Sequence, residues 1–266
     1  MIVNLHLLDA CNYQCAHCFA HFGASHTLSC GQWKKIVDNI LSDMDVERFN
    51  LAGGEPLLYS GLTELSEYIR DRGSAVSVIT NGYNLSSDKL RKLKAGGVSM
   101  IGMSIDSTCS STLRTMGRRT KTGDVLDPAR CLDLCKAIKK AGMSLKINSV
   151  ISKLNYTEDF SRFIQAAGPA RWKIIKMKPF YSARFDNSGI TIGEGQFNHF
   201  ISRHAGIPHL AERDMANAYI LVDAFGNLVD NGSEDNSPVA NLLTKEFSSA
   251  FSRLKFNYDT YQKRYA

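Results

Sequence analysis

No apolar run in this 266-residue sequence approaches the ~18 residues that a membrane-spanning helix needs. The N-terminus lacks the basic region and cleavage site of a signal peptide. A soluble, cytoplasmic protein is the expectation. A disulfide framework is missing too: the seven cysteines are odd in number, unevenly spaced and without an export signal, and such thiols stay reduced. There is no dense basic stripe. The net charge of +6 is spread along the chain, which suits an anionic small molecule better than a nucleic-acid backbone. Neither direct nucleic-acid binding nor membrane attachment is expected. Low-complexity segments, and repeats beyond a β-α unit, are also absent.

What is present is an ordinary globular composition, 44% hydrophobic and 22% charged, with enough chain for one barrel-sized domain or two smaller ones. Short β-branched runs at 3–8, 48–52, 75–80, 100–105, 144–151 and 172–178 alternate with amphipathic stretches at 31–45, 61–71, 86–94, 128–141 and 156–167. Six such units predict an α/β fold, a parallel sheet curled into a partial (βα)6 barrel. The pattern fails from 180 to 195, read as a loop over the barrel mouth. Two short strands around Phe225-Gly226-Asn227 then signal a hairpin, followed by a helix near 239–253 and a Tyr-rich tail. Residues 1–178 are thus read as the barrel and 179–266 as a C-terminal extension packed on it.

The densest chemistry lies in "DACNYQCAHCFAHFGA", residues 9–24. Cys11, Cys15 and Cys18 form C-x3-C-x2-C on the loop leaving the first strand, at the end where barrels keep their active sites. A structural zinc site uses four protein ligands, and no second C-x2-C knuckle exists here. Three thiolates suit a cubane iron–sulfur cluster with one iron left open. "GGEP" ends the second strand, where Gly53 and Gly54 allow close backbone approach and Glu55 offers a carboxylate for a cofactor amine. Asn81 ends the third strand and Ser104 and Asp106 the fourth. His17 and His21 flank the cysteines and read as surface residues. Cys131 and Cys135, four apart, read as one buried helix face, and Cys30 and Cys109 as helix-start residues without a partner.

A strand buried in a sheet should be nearly all apolar. Instead "LKINSVI" sets Lys146, Asn148 and Val150 on one face, and "ARWKIIK" sets Arg171 and Lys173 likewise. Cations inside a barrel must meet an anion or bear a desolvation cost of several kcal/mol. With Arg48, Arg118 and Arg119, they point to a polyphosphate.

The cysteine motif resembles that of the radical S-adenosylmethionine enzymes. The series "CNYQCAHCF", "FNLAGGEP", "SIDS", "GR", "KINSVI", "RWK" and "AYILVD" resembles, over nearly the whole chain, the viperin family. This likeness implies a [4Fe-4S] cluster on Cys11, Cys15 and Cys18, and S-adenosylmethionine held by Gly53, Gly54, Glu55, Asn81 and Ser104. It also implies a nucleoside triphosphate held by Arg48, Asn50, Arg118, Lys146, Asn148, Arg171 and Lys173. The implied reaction is dehydration to the 3′-deoxy-3′,4′-didehydro nucleotide, a chain terminator with an antiviral role. Tyr219 would deliver a hydrogen atom or proton near the ribose. A monomer served by an electron donor such as flavodoxin or ferredoxin is the expected state. Arg48 stands where the animal enzymes have lysine, Ala52 where they have serine, and the family's terminal tryptophan is missing. The alternatives are a radical enzyme acting on a peptide or deazapurine, or a non-catalytic metal protein. Peptide modifiers usually carry extra C-terminal cysteine clusters, and no cysteine follows Cys135.

Overall fold

A computed structural model describes residues 1–18, 26–182, 185–214, 216–232 and 237–265. Among these, twelve strands occur in chain order: β1 (Ile2–His6), β2 (Arg48–Ala52), β3 (Ala75–Thr80), β4 (Val98–Ser104), β5 (Ser144–Ile151), β6 (Arg171–Lys176), β7 (Tyr181–Ser182), β8 (Phe185–Asp186), β9 (Leu210–Glu212), β10 (Ile220–Val222), β11 (Asn227–Asp230) and β12 (Ser237–Asn241). The helices are α1 (Cys30–Asp43), α2 (Leu62–Arg70), α3 (Ser87–Ala95), α4 (Ser110–Thr115), α5 (Pro128–Lys140), α6 (Ser161–Ala167), α7 (Glu194–Arg203), α8 (Phe247–Phe251) and α9 (Tyr258–Tyr265).

Ten strands form one sheet in the order β12-β11-β10-β1-β2-β3-β4-β5-β6-β9, parallel from β10 through β9, with only the β10–β11 and β11–β12 pairs antiparallel. Strand β9 flanks β6 and β10 flanks β1, yet seven residues join them, so the sheet must curl until its flanks approach. That curl makes the partial barrel. Strand alternation decides what faces where. On β1, Val3 and Leu5 are fully buried, while Asn4 and His6 line the lumen. On β5, Leu145, Ile147 and Ile151 are buried, while Lys146, Asn148 and Val150 face the lumen. The outward apolar residues join one core with Trp33, Ile36, Val37 and Ile40 of α1. That helix starts at a capping box, Ser29 accepting from the Gln32 amide while Gln32 accepts from the Ser29 amide. Among the described residues, no helix is long and apolar enough to cross a membrane.

The predicted hairpin is present as β10 and β11. Three expectations need correction. The stretch 239–253 is not one helix: β12 runs to Asn241 and α8 starts at Phe247, because residues 237–241 pair with β11. The helix expected over 156–167 is only α6, since Asn155 bonds Ser152, Val150 and Asp106 and holds the preceding stretch in turns. Within 180–195 lie a small two-stranded pairing, β7 with β8, and a 3-10 turn at Ser188–Ile190. Strand β9 and helix α4 are short enough to leave no periodicity in the sequence.

Candidate active site

The loop after β1 is built to present its thiols. Gln14 N–H donates to the Gly117 carbonyl at 3.3 Å and Ala16 N–H to Met116 at 2.9 Å, tying it to the segment after α4. The Cys18 amide bonds the Cys15 carbonyl at 3.1 Å, folding the pair into a turn. Gly117 has φ +72°, and a Cβ there would stand 2.2 Å from the Gln14 carbonyl oxygen, so the contact needs glycine. "GGEP" makes a tighter approach. A Cβ on Gly54 would lie 1.7 Å from the Ala10 carbonyl oxygen, and Gly53 has φ +135°.

One cavity takes in Cys11, Cys15, Cys18, Gly53, Gly54, Asn81 and Ser104 and, with them, Asn50, Lys146, Asn148, Lys173 and Tyr219. At the cysteine end, the Tyr13 amide donates to Cys11 Sγ at 3.4 Å, while Asn81 Nδ2 stands 3.9 Å from it. Arg118 Nη1 is 4.0 Å from Cys15 Sγ. These donors suit thiolate sulfur. Without a metal, burial pushes the Cys15 thiol up to about 12 and raises Cys11 as well. A bound iron reverses that by taking the deprotonated form. Among the described residues, no three metal-ligating side chains converge on one ion. A cubane takes each thiolate on a different iron, so three separated thiols in one cavity fit the cluster and leave its fourth iron to an outside ligand.

Arg118 belongs to the cysteine end rather than among the strand cations expected to meet a polyphosphate. Its Nη1 pairs with Asp106 at 2.6 Å and its Nη2 donates to the Ser104 carbonyl at 2.6 Å. His17 corrects another expectation: it is buried, with Nε2 3.2 Å from Asp106 Oδ2. His21 lies outside the described residues. Glu55 is fully buried and does not line the cavity. Its carboxylate accepts from Thr80 Oγ1 at 2.6 Å, the Asn81 amide at 2.8 Å and the Leu57 amide at 3.1 Å. It thereby fixes the backbone that carries Asn81.

The other end is cationic. Lys146 is drawn down to about 8 by burial and by Arg264, Arg171 and Arg48, with Glu212 pulling the other way. Arg48 and Arg171 begin their strands and do not themselves line the cavity. Arg48 bonds Ser99 Oγ at 3.3 Å, and Arg171 is the register partner of Lys146. They act on Lys146 through space. Arg119 is exposed. Asn148 Oδ1 is buried without a hydrogen-bond partner, a polar atom for a ligand to meet. Asn50 donates to Asn4 Oδ1 at 2.9 Å, Asn4 donates to the Ile220 carbonyl at 3.2 Å, and Ser77 bonds Asn50. His6 lines the same lumen, kept neutral by burial that lowers it to about 4. Glu212, Arg264, Asn4 and His6 went unnoticed in the sequence. The alternation in "VNLH" was the one available signal for the last two.

The remaining four cysteines do not line this cavity. Cys131 and Cys135 are buried on α5, Cys30 opens α1 and Cys109 precedes α4.

The profile of the Radical SAM superfamily matches residues 5–167. A protein of Selenomonas ruminantium named S-adenosylmethionine-dependent nucleotide dehydratase is 35% identical over 269 residues, covering 99% of this chain and 98% of its own. One of the same name from Flammeovirga pacifica is 33% identical over 275 residues, covering 98% and 93%. In fold, the chain is similar to Streptococcus suis SuiB bound to S-adenosylmethionine, with a TM-score of 0.73, 13% identity, and coverage of 98% of this chain and 66% of that one.

Proposed function

The chain belongs to the radical SAM superfamily and, within it, to the viperin-like S-adenosylmethionine-dependent nucleotide dehydratases, and we propose that its substrate is a ribonucleoside triphosphate, dehydrated to the 3′-deoxy-3′,4′-didehydro form. The observation that carries this reading is the joining, in one cavity, of a three-thiol loop to the buried cations Lys146, Lys173 and Arg264.

Cys11, Cys15 and Cys18 would hold the [4Fe-4S] cluster, and Gly53, Gly54, Asn81 and Ser104 would flank S-adenosylmethionine, with Glu55 bracing Asn81. Bound there, the cluster and S-adenosylmethionine would supply one-electron radical chemistry able to take the ribose 4′-hydrogen. Lys146 and Lys173, backed by Arg48 and Arg171, neutralise the triphosphate. Asn148 and Asn50 offer hydrogen bonds to ribose and phosphate oxygens. Fixing the charged tail in this way would set the ribose between the cations and the cysteine loop, within reach of Tyr219. Losing the 4′-hydrogen atom, releasing the 3′-hydroxyl as water with one added proton, and adding one electron leaves the 3′,4′ double bond. Tyr219 is the candidate hydrogen or proton donor. A flavodoxin or ferredoxin is the natural source of electrons. The product has no 3′-hydroxyl, so a polymerase that incorporates it stops, which supports an antiviral role.

The test is incubation of the reconstituted protein with S-adenosylmethionine, a reductant and each of the four ribonucleoside triphosphates. A product lighter by one water, formed alongside 5′-deoxyadenosine, supports the reading. Equal turnover of nucleosides and triphosphates contradicts it.

A further inference from the structure

The curled sheet leaves a seam between β9 and β10, and four side chains from distant parts of the chain meet there in the interior. Lys173 of β6 and Glu212 of β9, 2% and 4% exposed, form an ion pair. Arg264 of α9, 3% exposed, brings Nη2 to 2.9 Å from Glu212 Oε1 and 3.1 Å from Oε2. The Arg264 guanidinium carbon sits 3.2 Å from the centroid of the Tyr219 ring, and the Tyr219 hydroxyl is 3.4 Å from Glu212 Oε2. The same helix is pinned one turn earlier, where the Tyr261 hydroxyl accepts from the Ile2 amide at 2.7 Å.

Two cations buried against one carboxylate are costly to desolvate, and the expense is returned only if the geometry satisfies all three groups. Glu212 meets both cations by offering its two oxygens, Oε1 to Lys173 and Oε1 and Oε2 to Arg264 Nη2. It also joins the two candidate substrate residues that lie on opposite flanks of the sheet, Lys173 and Tyr219. We propose that Glu212 is a positioning residue of the substrate site, holding the Lys173 ammonium, the Tyr219 hydroxyl and the C-terminal helix in fixed relation across the seam. This assignment rests on the nucleotide dehydratase reading. Its consequence is that α9, through Arg264, is part of the active cavity rather than an appendage.

Electrostatics give the proposal a signature. Burial, Arg264 and Lys146 of β5 draw Lys173 down to about 7, and Glu212 opposes them. Arg171 stands on the same face of β6, two positions earlier. Removing the negative charge of Glu212 while keeping its shape therefore makes Lys173 give up its proton more easily.

The experiment compares the parent protein with Glu212→Gln and Glu212→Asp. Calorimetry of the preferred triphosphate on cluster-free protein should show affinity falling with rising pH in the parent. In Glu212→Gln the fall should begin about one pH unit lower, and Glu212→Asp should restore most of it. Amide exchange over 258–265 should quicken at least ~10-fold in Glu212→Gln, as a local opening loses its tether. In reconstituted enzyme, product per 5′-deoxyadenosine should drop at least ~10-fold while 5′-deoxyadenosine still forms. If Glu212→Gln fails to fold, Arg264→Met, which removes the guanidinium from the seam, should show the same exchange and product ratio. Parent-like pH dependence and exchange would overturn the proposal, as would a uniform loss of binding at every pH with an unchanged product ratio. A parent that binds triphosphate no better than nucleoside would instead overturn the functional reading, leaving the exchange measurement to judge Glu212 alone.

Discussion

Asp106 and Arg118 form a 2.6 Å ion pair in which both side chains are almost fully buried, and His17 closes on the same carboxylate from between two of the motif cysteines. The pair therefore clamps the cysteine loop to the ends of β4 and β5, where Asp106 Oδ1 also accepts from the Val150 amide at 2.7 Å. Breaking a buried pair by removing one partner costs ~3–5 kcal/mol. Asp106→Ala should lower the urea stability of cluster-free protein by about that amount and reduce iron uptake on reconstitution. Stability within ~0.5 kcal/mol of the parent would remove the clamp from the account.

The cysteines divide three against four. Replacing Cys11, Cys15 and Cys18 together by Ala should bring iron and sulfide to background. Replacing Cys30, Cys109, Cys131 or Cys135 singly should leave both near the parent value. Loss of iron from any one of these four would mean that the cluster is held elsewhere.

Much of this was legible in the sequence, for reasons that also explain what was not. Period-two alternation in "LKINSVI" told which residues face the lumen, because side chains on a strand must alternate whatever lies around them. The cysteine spacing was equally local. Glu212, by contrast, lies on a three-residue strand and meets Lys173, Tyr219 and Arg264 only after the sheet curls and α9 returns to the barrel. His17 reads as a surface residue because its burial depends on Asp106, nearly ninety positions away. Arg48 and Arg171 read as cations in the sequence, Arg48 at the start of its strand, but that both stand off the lumen surface shows only in the folded sheet.

Gly54 is predicted to tolerate no side chain. A Cβ would sit 1.7 Å from the Ala10 carbonyl oxygen, and backbone cannot swing aside as a flexible side chain does. Overpacking of this kind costs ~1–3 kcal/mol or more. Gly54→Ala should lower the melting temperature and abolish S-adenosylmethionine binding, read by equilibrium dialysis. Parent-like binding would show that the glycine pair serves only the turn.

Triphosphate affinity should depend on pH in a stated direction. Burial and neighbouring cations lower Lys146 to about 8 and Lys173 to about 7, so both shed protons as pH rises from 7 to 9. An anion binds the charged forms, so affinity should be highest near the lower end of that range and decline through it. Calorimetry on cluster-free protein reads this directly. Affinity that rises with pH would contradict the assignment of these lysines to the phosphates.

The central claim is that the cysteine end and the cationic end serve one reaction at the ribose. It is tested most directly with a ribonucleoside triphosphate deuterated at the 4′ position, followed by mass analysis of both products. The account predicts that deuterium appears in 5′-deoxyadenosine and that the nucleotide product has lost it together with one water. Deuterium retained in the nucleotide, with unlabelled 5′-deoxyadenosine formed at the same rate whether or not triphosphate is present, would contradict it.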